Sequence, residues 1–204
     1  MNKILLTSLL LVFVLDTFSQ GPFNIGIKFG ANRSTMITNI DDVLNQNILK
    51  EDVNNYLAGA FVRVNLGRLY LQPEAYFNTK GGIITPVGEN QFSVPKKTTF
   101  NYQTIDVPAL VGIKIIDKEL INVRLHGGPV FSFVTANSLV SEISDFNADD
   151  LSKQYAGWQL GAGIDIWFVT LDARVENSFI ISDKSSNYDI KNRVYLISAG
   201  IKLF

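Results

Sequence analysis

The chain has no cysteine, which excludes disulfides, thiolate metal sites, a thiol nucleophile and a lipid anchor carried on an amino-terminal cysteine. It has no excess of either charge, since 18 Lys and Arg stand against 19 Asp and Glu for a formal net charge of −1. No basic excess is available to neutralise a phosphate backbone, so a nucleic-acid partner is not expected. Beyond residue 20 there is no apolar run approaching the roughly 20 residues that a transmembrane helix needs. If the chain spans a membrane it must do so as a closed barrel, in which every backbone group is paired.

The one sustained apolar run lies at the start. Asn2 and Lys3 give a polar, positive opening, residues 4–15 are apolar, and Thr17-Phe18-Ser19 places small residues before Gln20. This pattern predicts a signal peptide over 1–19 and a single domain over 20–204.

What remains is 47% hydrophobic and only 18% charged, and its apolar residues recur at every second position. Eight stretches show this: 23–32, 57–66, 69–78, 102–114, 121–133, 158–166, 169–179 and 194–203. In the first, Phe23, Ile25, Ile27, Phe29 and Ala31 share one face while Asn24, Gly26, Lys28, Gly30 and Asn32 share the other. The links between stretches are alternately short (65–68, 116–119, 167–168) and long (33–55, 79–100, 134–156, 180–192). Tight inner turns and long outer loops are the habit of outer-membrane barrels. The predicted fold class is therefore all-β, an eight-stranded antiparallel up-and-down transmembrane β-barrel with short periplasmic turns, long outer loops and both termini in the periplasm.

A soluble, lipocalin-like barrel has the same alternation with its faces exchanged. Three features argue for the membrane form. The polar face carries Gly26, Gly30, Gly59, Gly112, Gly128, Gly161, Gly163 and Gly200, which suits a crowded interior better than a solvated surface. Aromatic residues gather at strand ends, Phe23, Trp167, Phe168 and Phe204 at one and Tyr56, Phe77, Phe100, Phe133, Trp158 and Phe179 at the other, as interfacial girdles do. The charges of the polar face nearly cancel, as a desolvated interior requires. They predict a lumen polar network of Lys28, Arg63, Glu74, Asp106, Lys114, Arg124, His126, Asp165, Asp172, Arg174, Glu176 and Lys202. Pro73, Pro108 and Pro129 fall inside strands, where each removes a ladder donor, and bulges are expected there.

With these residues in view the chain resembles the PorT-like family of outer-membrane β-barrel proteins. The resemblance rests on Ile25-Gly26-Ile27-Lys28-Phe29-Gly30-Ala31-Asn32, Leu71-Gln72-Pro73-Glu74 and Ile105-Asp106-Val107-Pro108-Ala109-Leu110. It continues through Gly127-Gly128-Pro129, Leu160-Gly161-Ala162-Gly163-Ile164-Asp165, Leu171-Asp172-Ala173-Arg174 and the closing Gly200-Ile201-Lys202-Leu203-Phe204. It implies insertion by the barrel-assembly machinery and contact with outer-membrane lipid and lipopolysaccharide. It implies no agreed activity, the named member being associated with protein secretion. At the last strand Phe204 has lumen parity and Leu203 faces lipid.

No catalytic set emerges. His126 shares a face with Ser132, but six residues of strand separate them by about 20 Å. Asp145, Asn147 and Asp149 begin like a calcium loop, yet Asp150 stands where its glycine belongs. Gly161 and Gly163 begin a dinucleotide fingerprint that lacks its third glycine. No cofactor, metal site or enzymatic activity is expected. The expected role is that of a monomeric structural or interaction protein working through four outer loops, with an accessory part in secretion or transport as the alternative.

Overall fold

A computed structural model of the chain describes residues 22–38, 48–51, 53–86, 98–141, 153–179 and 190–203. The predicted signal peptide, the Asp145 to Asp149 segment and Phe204 lie outside them. The strands are β1 (Phe23–Thr38), β2 (Ile48–Glu51), β3 (Val53–Leu66), β4 (Leu69–Pro86), β5 (Thr98–Asp117), β6 (Ile121–Ser141), β7 (Gln154–Ile166), β8 (Val169–Ser178) and β9 (Ile190–Lys202). Each barrel strand pairs antiparallel with its neighbours, β1 closes on β9, and β4 joins β5, so eight strands form a complete ring. Short β2 lies outside this cycle and extends the far end of β4, with Ile48 opposite Pro86 and Glu51 opposite Ile83.

Alternation dictates the two faces. Along β9, Tyr195, Ile197, Ala199 and Ile201 are exposed while Val194, Leu196, Ser198 and Gly200 are buried. Along β4, Leu71, Pro73, Ala75 and Phe77 are exposed while Tyr70, Gln72, Glu74, Tyr76, Asn78 and Lys80 are buried. A water-soluble sheet would hide the first set, and here the large apolar side chains cover the outside and polar ones fill the middle.

At one end the strands are joined tightly. Gly67 and Trp167 open two-residue turns with positive φ of 66° and 55°, and Trp167 packs edge-on against Phe168 at 4.6 Å. The turns are tied to their neighbours, with the Trp167 amide donating to the Leu120 carbonyl (2.8 Å) and the Lys202 amide to the Phe168 carbonyl (2.8 Å).

At the other end the strands run well past their expected limits: β1 to Thr38, β4 to Pro86 and β6 to Ser141. These extensions fall in stretches read from the sequence as loops. Beyond an apolar belt nothing enforces one apolar face, so pairing continues without the alternation that would announce it.

The in-strand prolines are accommodated without the expected bulges. Pro73 stays opposite Ala109, Pro108 opposite Val130 and Pro129 opposite Trp158, with no shift of register. Instead, one seam beside each proline skips its pairing. The β3–β4 ladder breaks between Phe61↔Glu74 and Val64↔Leu71. The β4–β5 ladder breaks between Pro73↔Ala109 and Tyr76↔Asp106. The β5–β6 ladder breaks between Pro108↔Val130 and Val111↔Gly127. A missing donor costs one rung, and closure of the ring holds the strands in place around it. The register shifts that do occur lie elsewhere, between Gln103 and Thr104 and between Lys114 and Ile116.

Candidate functional site

Inward-facing side chains from all eight barrel strands meet in the lumen, and they sort into three tiers. Nearest the tight turns, Asp165 of β7 is flanked by Arg63 Nη1 (2.6 Å), Arg124 Nη2 (2.9 Å) and Lys202 Nζ (3.7 Å). Arg63 Nε also donates to Gln72 Oε1 (2.6 Å), and Arg124 donates to Thr170 Oγ1 (2.7 Å) and to the Tyr70 hydroxyl (3.2 Å). The Arg63 guanidinium lies 5.2 Å from the Tyr70 ring centre.

The middle tier centres on Glu74. Arg174 donates to both its oxygens, Nη1 to Oε2 (2.8 Å) and Nη2 to Oε1 (2.7 Å), Lys28 Nζ donates to Oε2 (2.8 Å), and Gln72 Nε2 to Oε1 (2.6 Å). Asp172 links this tier to the first, pairing with Arg174 (3.5 Å) and Arg124 (3.2 Å). His126 also sits here, Nδ1 at 3.1 Å from the Tyr70 hydroxyl and Nε2 at 3.9 Å from Asp172.

Lys80 organises the tier toward the long connections. It pairs with Asp106 (2.9 Å) and with Glu176, and donates to the Tyr155 hydroxyl (3.1 Å). Gln159 Nε2 donates to Glu176 Oε2 (2.8 Å) and the Tyr76 hydroxyl (2.6 Å), while Asn78 donates to Asp106 (2.9 Å). Beyond it, Asn192 donates to the Tyr102 hydroxyl (2.6 Å), and Tyr102 meets Tyr155 edge-on at 6.4 Å.

Of the twelve residues named from the sequence, eleven belong to these tiers. Lys114 does not: it lies at the tight-turn end beside Asp117 (3.4 Å). His126 and Ser132 are not brought together, for Ser132 instead accepts a hydrogen bond from Lys80 (3.4 Å). Lys80 was missed because its segment was read as a loop. Its parity, two residues beyond Asn78 and six beyond Glu74, was the available signal. Parity puts Tyr70, Tyr76 and Tyr102 on the polar face without revealing that their hydroxyls have partners, and Tyr155 falls in the stretch 134–156 read as a loop.

Chemically, the arrangement is a buried network of paired charges. Apart from Asp172–Arg174 on β8 and Lys114–Asp117 on β5, the ion pairs above span strands, and Arg63, Lys80, Arg124, Asp106 and Glu176 are at most 1% exposed. In a medium this poor in water each charge is held by its partners, and removing one strands the others.

The sequence profile of the family "Outer membrane protein beta-barrel domain" matches residues 18–184. The chain belongs to this family. No curated protein matches it in sequence. Among solved structures it is similar to the outer membrane protein OprG from Pseudomonas aeruginosa, at 11% identity and a TM-score of 0.53 over 88% of this chain and 95% of that one. It is also similar to Neisserial surface protein A, at 9% identity and a TM-score of 0.48 over 87% and 96%. The attachment invasion locus protein Ail of Yersinia pestis gives 13% identity and a TM-score of 0.44 over 89% and 99%.

In an outer-membrane barrel the exposed residues of the strands face lipid. Ile27, Val111, Leu125, Leu160, Leu171 and Ile197 lie in that belt. Phe23, Trp167 and Phe168 edge it at the tight turns, and Tyr56, Phe77, Phe133, Trp158 and Phe179 at the other end, all of them exposed. The aromatic rims match the girdles that fix a barrel at the two interfaces.

Proposed function

We propose that the protein is a sealed, monomeric outer-membrane barrel that serves as a structural or interaction element, offering the long connections at one end to partners outside the cell. In this reading residues 1–19 are a cleaved signal peptide, the tight turns and both termini face the periplasm, and the chain catalyses no reaction. The observation that carries it is the Glu74–Arg174–Lys28 cluster, which ties β4, β8 and β1 together across the lumen. An eight-stranded barrel has an interior only wide enough for side chains, so filling it with paired charges makes a pillar rather than a pore. Liposome swelling tests this directly. Proteoliposomes of the purified protein are expected to admit small sugars no faster than protein-free ones, and rapid uptake overturns the reading.

A second reading, an accessory of a secretion or transport assembly, is favoured by the resemblance of the ordered motifs from Ile25-Gly26-Ile27 to Gly200-Ile201-Lys202 to those of the PorT-like family. Crosslinking in intact cells separates the two. A stoichiometric companion supports the accessory role, and recovery of the barrel alone supports the free-standing one.

A further inference from the structure

On the outward face of each barrel strand a polar residue stands at the long-connection edge of the apolar belt. The residue at that transition is Asn54 on β3, Thr79 on β4, Gln103 on β5, Thr135 on β6, Gln154 on β7 and Asn177 on β8. All six are neutral. On β1 and β9 it is Arg33 and Arg193, and β9 adds Lys191 two residues further along the same face. These two strands are hydrogen-bonded neighbours, with Arg33 opposite Tyr195, Thr35 opposite Arg193 and Ile37 opposite Lys191. Arg33 and Arg193 are therefore diagonal neighbours, a relation that puts side chains about 7–8 Å apart. Lys191 extends the row by about 7 Å.

All three cations are exposed. Arg193 Nε donates to Asn177 Oδ1 (2.8 Å), which ties its guanidinium to the neighbouring strand β8. Directly below stand Tyr195 and Ile197, 48% and 71% exposed, and then Ala199 and Ile201. A cationic row immediately above a lipid-facing strand lies at headgroup height, where each cation is attracted to surface anions. Among the described side chains, the exposed acids, Asp117 and Glu119, lie at the opposite end of the barrel.

From this placement we infer that Arg33, Arg193 and Lys191 form a binding site for the phosphorylated sugar headgroup of lipopolysaccharide in the outer leaflet, its acyl chains lying along the β1–β9 face. A disaccharide with a phosphate at each end matches a row of cations, whereas a phospholipid offers one phosphate to one or two of them. Guanidinium groups pair with phosphate oxygens in bidentate geometry, which favours Arg at two of the three positions. The inference rests on the proposed orientation, in which the long connections face outward.

The test uses the full chain in detergent, titrated with bisphosphorylated lipid A, with the same lipid A stripped of phosphate, and with phosphatidylglycerol, bound lipid being counted by native mass spectrometry. Bisphosphorylated lipid A is expected to bind best, and binding should weaken by about tenfold or more in the combined variant Arg33→Gln, Lys191→Gln, Arg193→Gln and at high salt. Lys153→Gln, at the start of β7, should change nothing. Equal binding of phosphate-free lipid A, or an unaltered titration in a triple variant that keeps its heat-modifiable mobility, overturns the site. Equal binding of phosphatidylglycerol overturns the assignment to lipopolysaccharide. Orientation is read separately by labelling Gln154→Cys on intact cells with an impermeant maleimide, the chain having no other cysteine. If the label fails to react while the three cations still govern lipid A binding, the orientation is wrong and the outer-leaflet assignment falls with it.

Discussion

Arg174 of β8 reaches across the lumen to Glu74 of β4, 100 positions away in the chain, and donates to both of its carboxylate oxygens. The two residues have unequal support. Arg174 keeps a second acid, Asp172 at 3.5 Å, when Glu74 is lost, whereas Glu74 is the only acid within ion-pair reach of Lys28 among the described residues. Glu74→Gln therefore leaves a buried ammonium without its counter-charge and should cost about 3–5 kcal/mol. Arg174→Met, which leaves Glu74 with Lys28, should cost less. Urea midpoints of the folded, heat-modifiable form in detergent or liposomes give both values, and the opposite order would refute this account of the middle tier.

The alternation that builds this cluster was readable from residues such as Ile25, Ile27 and Phe29 because lipid accepts no charge and enforces period two wherever the wall touches it. The ends were not readable for the same reason. Past Phe77 on β4 nothing penalises a polar residue on either face, so Thr79 and Lys80 looked like loop although they continue the strand. The partners within the lumen were also illegible. Parity places Glu74 and Arg174 inside, but whether they meet depends on strand stagger, which the sequence does not state. The prolines misled because bulging and a skipped rung look alike in a sequence, and only the unshifted pairs Pro73↔Ala109 and Pro108↔Val130 distinguish them.

Gly112 shows why glycine occupies the inner face. It stands opposite Tyr70 across the β4–β5 seam, and a Cβ built there would run into the Tyr70 ring. That ring is fully buried and cannot retreat without leaving Arg124 and His126. Gly112→Val should therefore destabilise the barrel by about 1–3 kcal/mol through overpacking. Tyr70→Leu removes the obstruction, so the double variant should lose less than the sum of the two single losses, with a coupling of about 0.5–3 kcal/mol. Strict additivity in urea unfolding would mean that the clash is relieved some other way.

Replacing a proline that borders a skipped rung should restore a donor without disturbing register. Pro129 faces outward beside the break between Pro108↔Val130 and Val111↔Gly127, while its pairing to Trp158 on β7 is intact. Pro129→Ala supplies the missing N–H on the β5 side, where one hydrogen bond is worth about 0.5–1.5 kcal/mol net. The more flexible unfolded chain offsets about 0.4–1 kcal/mol of that. Stability should stay within about 1 kcal/mol of the parent, and hydrogen exchange at the neighbouring amides of β5 should slow. A large loss of stability would show that the proline fixes the strand path rather than merely interrupting a ladder.

The depth of the lipid belt can be mapped with one charge moved along a single strand. On β8 the outward residues run Val169, Leu171, Ala173, Val175 and Asn177 from the tight-turn end toward the long connections. Ala173 is exposed and sits opposite Ala162 on β7 and Ile197 on β9, with apolar neighbours on both sides. If this face lies in hydrocarbon, Ala173→Lys should cost about 2–4 kcal/mol, because a cation at mid-belt must be solvated by deforming the bilayer. Asn177→Lys, two outward positions further along β8, lies where the strand meets the headgroups and should cost about 0–1 kcal/mol. Both are measured as shifts of the urea midpoint in liposomes, and both should shrink toward a common small value in detergent micelles, which offer a thinner and more deformable apolar layer. The soluble, lipocalin-like alternative makes the opposite forecast. There Ala173 would face water, lysine would be tolerated equally at the two positions, and changing the surrounding lipid would leave the midpoints unmoved.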